Sequence, residues 1–328
     1  MPLPTLSDVH VNRPLTNISI AMIQDDNNFV AQKVFPNVPV SKQSDAYFTY
    51  DNAYWNKDEM QLRAPATESH GNGWKIDALN TYFARVWAFH KDIDDQIRAN
   101  QDSPLNLDNE ATKYITLKAL LRREKLFATN YMAGGVWTRD WDGVAAGPVG
   151  NQVLQWNDAA STPIEDVWDA KEAMLELTGF EPNTMVLGYP VYKALINHPD
   201  TVDRVKYGNT SGVAMIDLNE LAQLFKVQQV LVMRGIENTA VEGAAAVNAF
   251  IGGKVAALFY VPPSPGLMTP SAGYTFSWTG FLGAGPAGNR IKRFRMEQLS
   301  SDRVEIEIAC DLKRISADLG AFWDSVVA

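Results

Sequence analysis

Residues 1–45 limit what this chain can fold into more than any other stretch. Pro2, Pro4, Pro14, Pro36 and Pro39 punctuate it, and its apolar residues come in small groups: Ile18, Ile20, Met22 and Ile23, then Phe29, Val34 and Phe35. Proline fixes φ and lacks a backbone donor, so such a segment builds neither a long helix nor a central strand. It is also too apolar to remain a solvated tail. An extended arm laid on an apolar surface satisfies both conditions. Thirty extended residues reach roughly 100 Å, whereas a compact chain of this length has a radius of gyration of about 20 Å. The arm can lie on a neighbouring subunit or fold back on its own domain, and composition leaves both open.

The whole chain has 328 residues, 46% hydrophobic and 20% charged, which suffices for a real core and suggests about two domains. A formal net charge of -9 argues against holding nucleic acid by bulk attraction. One cysteine, Cys310, excludes an intrachain disulfide and suits a reducing compartment. MPLPTLSDVHVNRPL lacks the basic and apolar regions of a secretory signal, and Val255 to Val261 is too short to span a bilayer. The chain is therefore expected to be soluble and to stay where it is made.

Residues 46–90 place aromatic and β-branched runs (AYFTY, WKID, TYFARVWAFH) around the polar NKDEMQLRAPATESHGNG. This pattern predicts a long hairpin whose middle projects into solvent. Residues 108–133 read as a helix of close to 40 Å, capped by Asp108 and stopped by Gly134-Gly135, with Tyr114, Leu117, Leu121, Ala128 and Tyr131 on its apolar stripe. A second helix is expected over 163–178, with Thr162 and Glu165 as a capping box and Gly179 as its end. Helices and strands alternate from there (TMVLG, a helix after Pro190, a helix from Asp217 boxed by Glu220, then QVLVMR, NAFIG and VAALFYV), which predicts a mixed sheet with helices packed on it. YTFSWTGF, RIKRFRM and RVEIEIACDL alternate like antiparallel strands.

Motifs of chemistry are weak. GAGPAG (283–288) matches the dinucleotide fingerprint GxGxxG, with Glu305 downstream, but Pro286 interrupts it and a strand pattern follows where a helix is required. A glycine-rich hairpin loop explains it better, and a nucleotide-binding enzyme remains the alternative of a different class. His10, His70, His90 and His198 show no ligand spacing, and neither GxSxG nor a Walker motif is present. No metal or cofactor is expected. Asp92, Asp94 and Asp95 read as a solvated helix start. Asn17-Ile-Ser19 and Asn209-Thr-Ser211 match the glycosylation pattern but follow no secretory signal. Arg290, Lys292, Arg293 and Arg295 form the densest basic run: a DNA-facing strand, or an edge strand protected by charge or tied by interchain salt bridges, which the acidic total favours. In PNTMVLGYPVYKALINHPDTVDRVKYG every residue has a packing or capping role, and His198 before Pro199 is expected to shape a helix junction.

Three stretches carry a resemblance. FVAQKVFPNVPVSKQSDAYFTYD, PNTMVLGYPVYKALINHPDTVDRVKY and RVEIEIACDLKRISADLGAFW resemble, in order, the arm-to-loop passage, an axial-domain segment and the closing strand of the major capsid proteins of tailed bacteriophages, the Hong Kong 97-like fold. The resemblance implies an α+β fold with an N-arm (1–45), an extended loop (46–85), a peripheral domain (86–154 and 291–328, with 108–133 as spine helix) and an axial domain (155–290) with a mixed sheet and flanking helices. It implies a non-enzymatic coat protein that self-assembles, through hexamers and pentamers, into the icosahedral head of a virion. The shell would be built in the host cytoplasm and enclose DNA without reading its sequence. Portal and decoration proteins would be partners, with a scaffolding protein separate or lacking. An encapsulin-type compartment is the close alternative. Some members crosslink a loop lysine to a neighbour's asparagine, and Lys57 is the candidate here.

Overall fold

The computed structural model describes residues 24–50, 55–101, 105–208, 216–266, 268–283 and 288–328. Outside these lie His10, Asn17-Ile-Ser19, Asn209-Thr-Ser211, most of the proline-rich start and residues 284–287 of GAGPAG. In chain order, a short helix α1 (Ala31–Val34) leads to β1 (Asn37–Val40), and β2 (Ser44–Ala46) and β3 (Thr49–Tyr50) form the outgoing limb of the hairpin. The returning limb holds β4 (Ile76–Asp77) and β5 (Thr81–Phe83), and β6 (Arg85–Asp94) continues into α2 (Asp95–Ala99) and the long α3 (Leu107–Tyr131). After β7 (Arg139–Val144) and β8 (Gln152–Leu154) come α4 (Pro163–Thr178), β9 (Thr184–Gly188), α5 (Tyr189–Leu195), α6 (Pro199–Gly208), α7 (Leu218–Leu224) and β10 (Gln229–Met233). The chain closes with β11 (Ile236–Asn238), β12 (Asn248–Phe250), β13 (Ala256–Phe259), β14 (Gly273–Trp278), α8 (Thr279–Leu282), β15 (Asn289–Met296), β16 (Ser301–Arg314) and β17 (Gly320–Asp324).

Two large sheets organise these elements. In the first, β16 is the central strand: β6 pairs antiparallel along one edge, from Ser301↔Asp94 to Cys310↔Arg85. Its other edge is shared end to end by β14 (Gly273↔Arg314 to Ser277↔Cys310) and β15 (Asn289↔Ile308 to Met296↔Ser301). β14 and β15 are thus one long antiparallel partner interrupted by α8 and the glycine-rich loop. The second sheet runs β10-β9-β13-β17-β7-β8, parallel at β9–β10 and antiparallel at β13–β9, so it is mixed as its sequence pattern predicts.

Each large sheet draws strands from separate stretches of the chain. β14 falls inside 155–290 and belongs to the first sheet, while β7, β8 and β17 lie in 86–154 and 291–328 and complete the second. The β17–β7 pairing joins Ala321 to Arg139, a separation that no local pattern reports.

The α3 helix packs across the first sheet. Its cap is Asn106, whose side chain accepts from the Asn109 N–H at 3.1 Å, and not the expected Asp108. Asp108 sits within the first turn, where a negative charge still meets the helix dipole favourably. The buried positions are Ala111, Ile115, Arg123, Glu124, Phe127 and Tyr131, whereas Tyr114 is exposed. The stripe is therefore displaced from the one expected, because two charged residues stand where the inward face crosses the middle of the helix. In α4 the bounds are as expected and Gly179 ends it with a left-handed φ of 77°, but Thr162 makes no side-chain cap. The Trp156 indole instead donates to Asp166 at 2.8 Å, inside the first turn. The capping box of Asp217 with Glu220 on α7 is formed.

The described part of the arm folds back on its own chain. Phe35 is fully buried, with its ring 5.3 Å from Phe127 and 4.8 Å from Tyr131 of α3. A Cβ on Gly273 would meet the Phe35 ring at 2.4 Å, so only glycine admits the ring there. β1 then pairs parallel with β14. The buried Glu124 carboxylate accepts from the backbone N–H groups of Val30 (3.0 and 3.1 Å) and Ala31 (2.9 Å), the first donors of α1. These donors would otherwise be orphaned at the helix start. Burial pushes the Glu124 carboxyl up to about 7, against the pull of the Ala31 and Val30 donors and of Lys33.

A carboxyl whose folded pKa lies above its unfolded value favours folding while protonated. Its contribution is complete below about 4.5 and is lost as pH rises through about 7. The full shift corresponds to about 3 kcal/mol. Glu124→Gln is expected to flatten the fall in thermal stability across this window, and melting curves at stepped pH will show whether it does.

Candidate assembly surfaces

The hairpin is held at its root and open at its tip. Tyr47 and Tyr82 stack on Phe276 of β14, with ring centroids 5.4 and 4.7 Å away, and the Phe83 N–H donates to the Asp311 carboxylate at 2.8 Å. The ladders β2–β5 and β3–β4 carry the limbs outward. Beyond them a small aromatic group, Tyr50–Trp55–Trp74 with ring centroids 6.2 and 5.5 Å apart, joins the limbs. Met60 is 94% exposed, Leu79 87% and Leu62 completely so, and Phe48, Trp55 and Trp74 are about half exposed or more. Single exposed apolar residues need no explanation, but so many on one projecting element mark a contact surface.

Lys57 stands in this loop with its ammonium 2.7 Å from Glu59, whose carboxylate also accepts from the Asn72 carboxamide at 2.8 and 3.0 Å. Donation from Lys57, then from Asn72, holds the Glu59 carboxyl below its ordinary range.

The basic run is not a patch. β15 alternates its side chains between the two faces of the sheet, so Arg290 and Lys292 leave on one face and Arg293 and Arg295 on the other. On the first face both cations converge on Glu307 of β16, Arg290 at 2.7 Å and Lys292 at 2.9 Å. Burial alone would raise the Glu307 carboxyl; Lys292 and Arg290 outweigh it and hold it low. The Phe281 ring lies 4.5 Å from the Arg290 guanidinium and covers the pair. On the helix face Arg293 meets Asp302 (3.1 Å) and Asp108 (3.3 Å), Arg295 meets Asp95, and Arg98 of α2 joins Asp302 and Asp108.

The acidic run has separate duties as well. Asp94 caps α2 by accepting from the Gln96 N–H at 2.7 Å, Asp92 takes the Arg303 guanidinium through two hydrogen bonds, and Asp95 takes Arg295. GAGPAG leads from α8 into β15, so a strand and not a helix follows it. A phosphate therefore meets no helix N-terminus there.

Among the described residues, the one arrangement resembling catalysis is Ser161 with His198, at 3.1 Å. His198 Nδ1 accepts from the Asp200 N–H at 3.2 Å, capping α6, while Nε2 lies 2.9 Å from the Asp158 carbonyl. A carbonyl can only accept, so Nε2 carries the proton and cannot receive one from Ser161, which itself donates to the same carbonyl at 2.7 Å. The imidazole joins the 158–161 turn to the start of α6. Sequence spacing could not show this, because the partner turn lies 40 residues upstream.

Comparison with known proteins follows the same lines. No established family profile matches the chain. It is 28% identical over 239 residues to the major capsid protein of Burkholderia phage BcepMu, covering 70% of this chain and 71% of that one. It is 26% identical over 331 residues to the major capsid protein of Pseudomonas phage JBD67, covering 94% and 96%. Among solved structures it resembles a phage-related protein from Bordetella bronchiseptica (TM-score 0.69, 20% identity, 91% and 92% covered). It also resembles the capsid of cyanophage P-SCSP1u (0.62, 11%, 97% and 93%) and the SrpI encapsulin complex of Synechococcus elongatus (0.56, 11%, 97% and 94%). The fold is the Hong Kong 97-like fold of phage capsids.

Removing the hub of the outer charge network leaves two partly buried cations without their carboxylate. Glu307→Gln is expected to lower stability by about 1–3 kcal/mol, while Glu297→Gln, at an exposed position, changes it by less than about 0.5 kcal/mol. Chemical denaturation of both variants provides the comparison; equal effects would contradict this account of the basic strand.

Proposed function

We infer that this chain is the major capsid subunit of a tailed bacteriophage, assembling with copies of itself into the closed shell of a virion. The observation that carries the reading is the projecting hairpin: it exposes Phe48, Met60, Leu62, Trp74 and Leu79 on a chain whose fold is that of shell proteins. An element like this gains burial only on another subunit. Each large apolar side chain covered contributes about 1.5–3 kcal/mol, and association of many copies sums such contributions against the entropy of binding.

Within the subunit, residues 46–85 serve as the extended loop, α3 with the first sheet as the peripheral domain and the second sheet with its helices as the axial domain. Hexamers and pentamers of such subunits close an icosahedral head around packaged DNA, which meets an acidic chain and is enclosed without sequence-specific contact. Portal, scaffolding and decoration proteins are the remaining partners, and assembly takes place in the host cytoplasm. An encapsulin-type compartment shares the fold. The two sequence relatives, both phage major capsid proteins and one matched over 94% of this chain, favour the virion.

Negative-stain microscopy of the expressed chain tests the reading. Closed shells, or hexameric and pentameric rings, are expected, and a monomer under every assembly condition would contradict it. The double variant Met60→Asp, Leu62→Asp should keep its fold, with a stability change below about 0.5 kcal/mol, yet fail to form shells. Shells at wild-type yield from that variant would remove the loop from the assembly mechanism.

A further inference from the structure

Asn72-Gly73 is the single Asn-Gly pair in the chain, and it falls in the loop between the two limbs of the hairpin. The Gly73 backbone nitrogen lies 2.8 Å from Asn72 Oδ1, so it stands beside the carboxamide carbon of the preceding residue. Gly71 and Gly73 have nothing within 4 Å of where a Cβ would be, and the segment is exposed and outside any ladder. No neighbouring atom therefore obstructs the backbone in turning the nitrogen toward that carbon, and glycine offers no side chain to block it.

We propose that Asn72-Gly73 is a spontaneous modification site, at which the Asn72 carboxamide is converted to aspartate and isoaspartate. Hydroxide removes the Gly73 N–H proton, and the nitrogen attacks Asn72 Cγ. The new C–N bond closes a five-membered succinimide as the Cγ–Nδ2 bond breaks, and ammonia leaves with a proton from water. Water then adds to one of the two ring carbonyls. Opening on one side gives aspartate, and opening on the other routes the backbone through the side chain as isoaspartate. The sum is one water consumed and one ammonia released, with no change of oxidation state.

The conversion acts on a specific contact. Asn72 Nδ2 donates to both oxygens of Glu59, tying two points of the loop 13 residues apart. Replacing that donor by a carboxylate puts two negative groups face to face, with Lys57 the cation beside them. The tie becomes a repulsion, so the tip of an ageing subunit loosens.

The reaction needs no partner and is independent of shell formation. The full chain is held in mildly alkaline buffer at physiological temperature, sampled, digested with trypsin and mapped by liquid chromatography and mass spectrometry. Peptide 64–75, which contains Asn72 alone, should gain the mass of an amide-to-acid change and split into two isomeric products, while peptide 76–85, containing Asn80 alone, stays unchanged. Gly73→Ala fits the open space and should slow the conversion roughly tenfold. The proposal is overturned if 64–75 keeps its mass as long as 76–85, or if Gly73→Ala converts at the wild-type rate.

Discussion

The contact on which most of the structure depends is the seat of the arm against α3. Phe35 enters a core made by Phe127 and Tyr131 of α3, Val186 and Phe259 of the second sheet, and Ile308, Cys310 and Leu312 of β16. Both sheets therefore share one packed region, and the arm helps to fill it. Glu124 secures the approach by satisfying the first N–H groups of α1, which no other carboxylate accepts from among the described residues. A buried carboxylate is costly unless hydrogen-bonded, and here the helix start supplies the donors. The arm's geometry and the state of one titratable group are thereby linked.

Around this seat the molecule divides its apolar surface in two ways. Trp156, Met174, Leu187, Leu195 and Trp323 are sealed in the core of the second sheet, and Ile115, Val304 and Ile306 lie between α3 and the first. The hairpin does the opposite: its root is fixed by the Tyr47–Phe276–Tyr82 stack, and its outer residues face solvent. A rigid root and an open apolar tip suit an element that finishes folding on a neighbour. The basic strand follows a different logic, its cations matched by carboxylates within the chain, and the long edge of β15 stays charged against stray strand pairing.

Much of this was legible in the sequence, and the misses share a cause. The hairpin, the bounds of α4, the Asp217–Glu220 box and the strands β6, β14, β15 and β16 follow from local periodicity and turn chemistry. The stripe of α3 was misplaced because Arg123 and Glu124 are buried, and their partners lie in other parts of the chain. The parallel pairing of β17 with β7 is not legible, because it joins Ala321 to Arg139 across most of the second half of the chain and leaves no local trace. The four cations of RIKRFRM looked like one patch until strand alternation separated them. Asn106 displaced Asp108 as the cap of α3, a difference of two residues between equally good capping types.

The central claim is that the exposed hairpin becomes an interface when copies assemble. Hydrogen exchange over residues 55–79, compared between dissociated subunits and shells, tests it most directly. The account predicts fast exchange in the subunit, where this stretch has little ladder, and strong protection in the shell, with the buried strands β9 and β13 protected in both. Equally fast exchange of the hairpin in intact shells would contradict it.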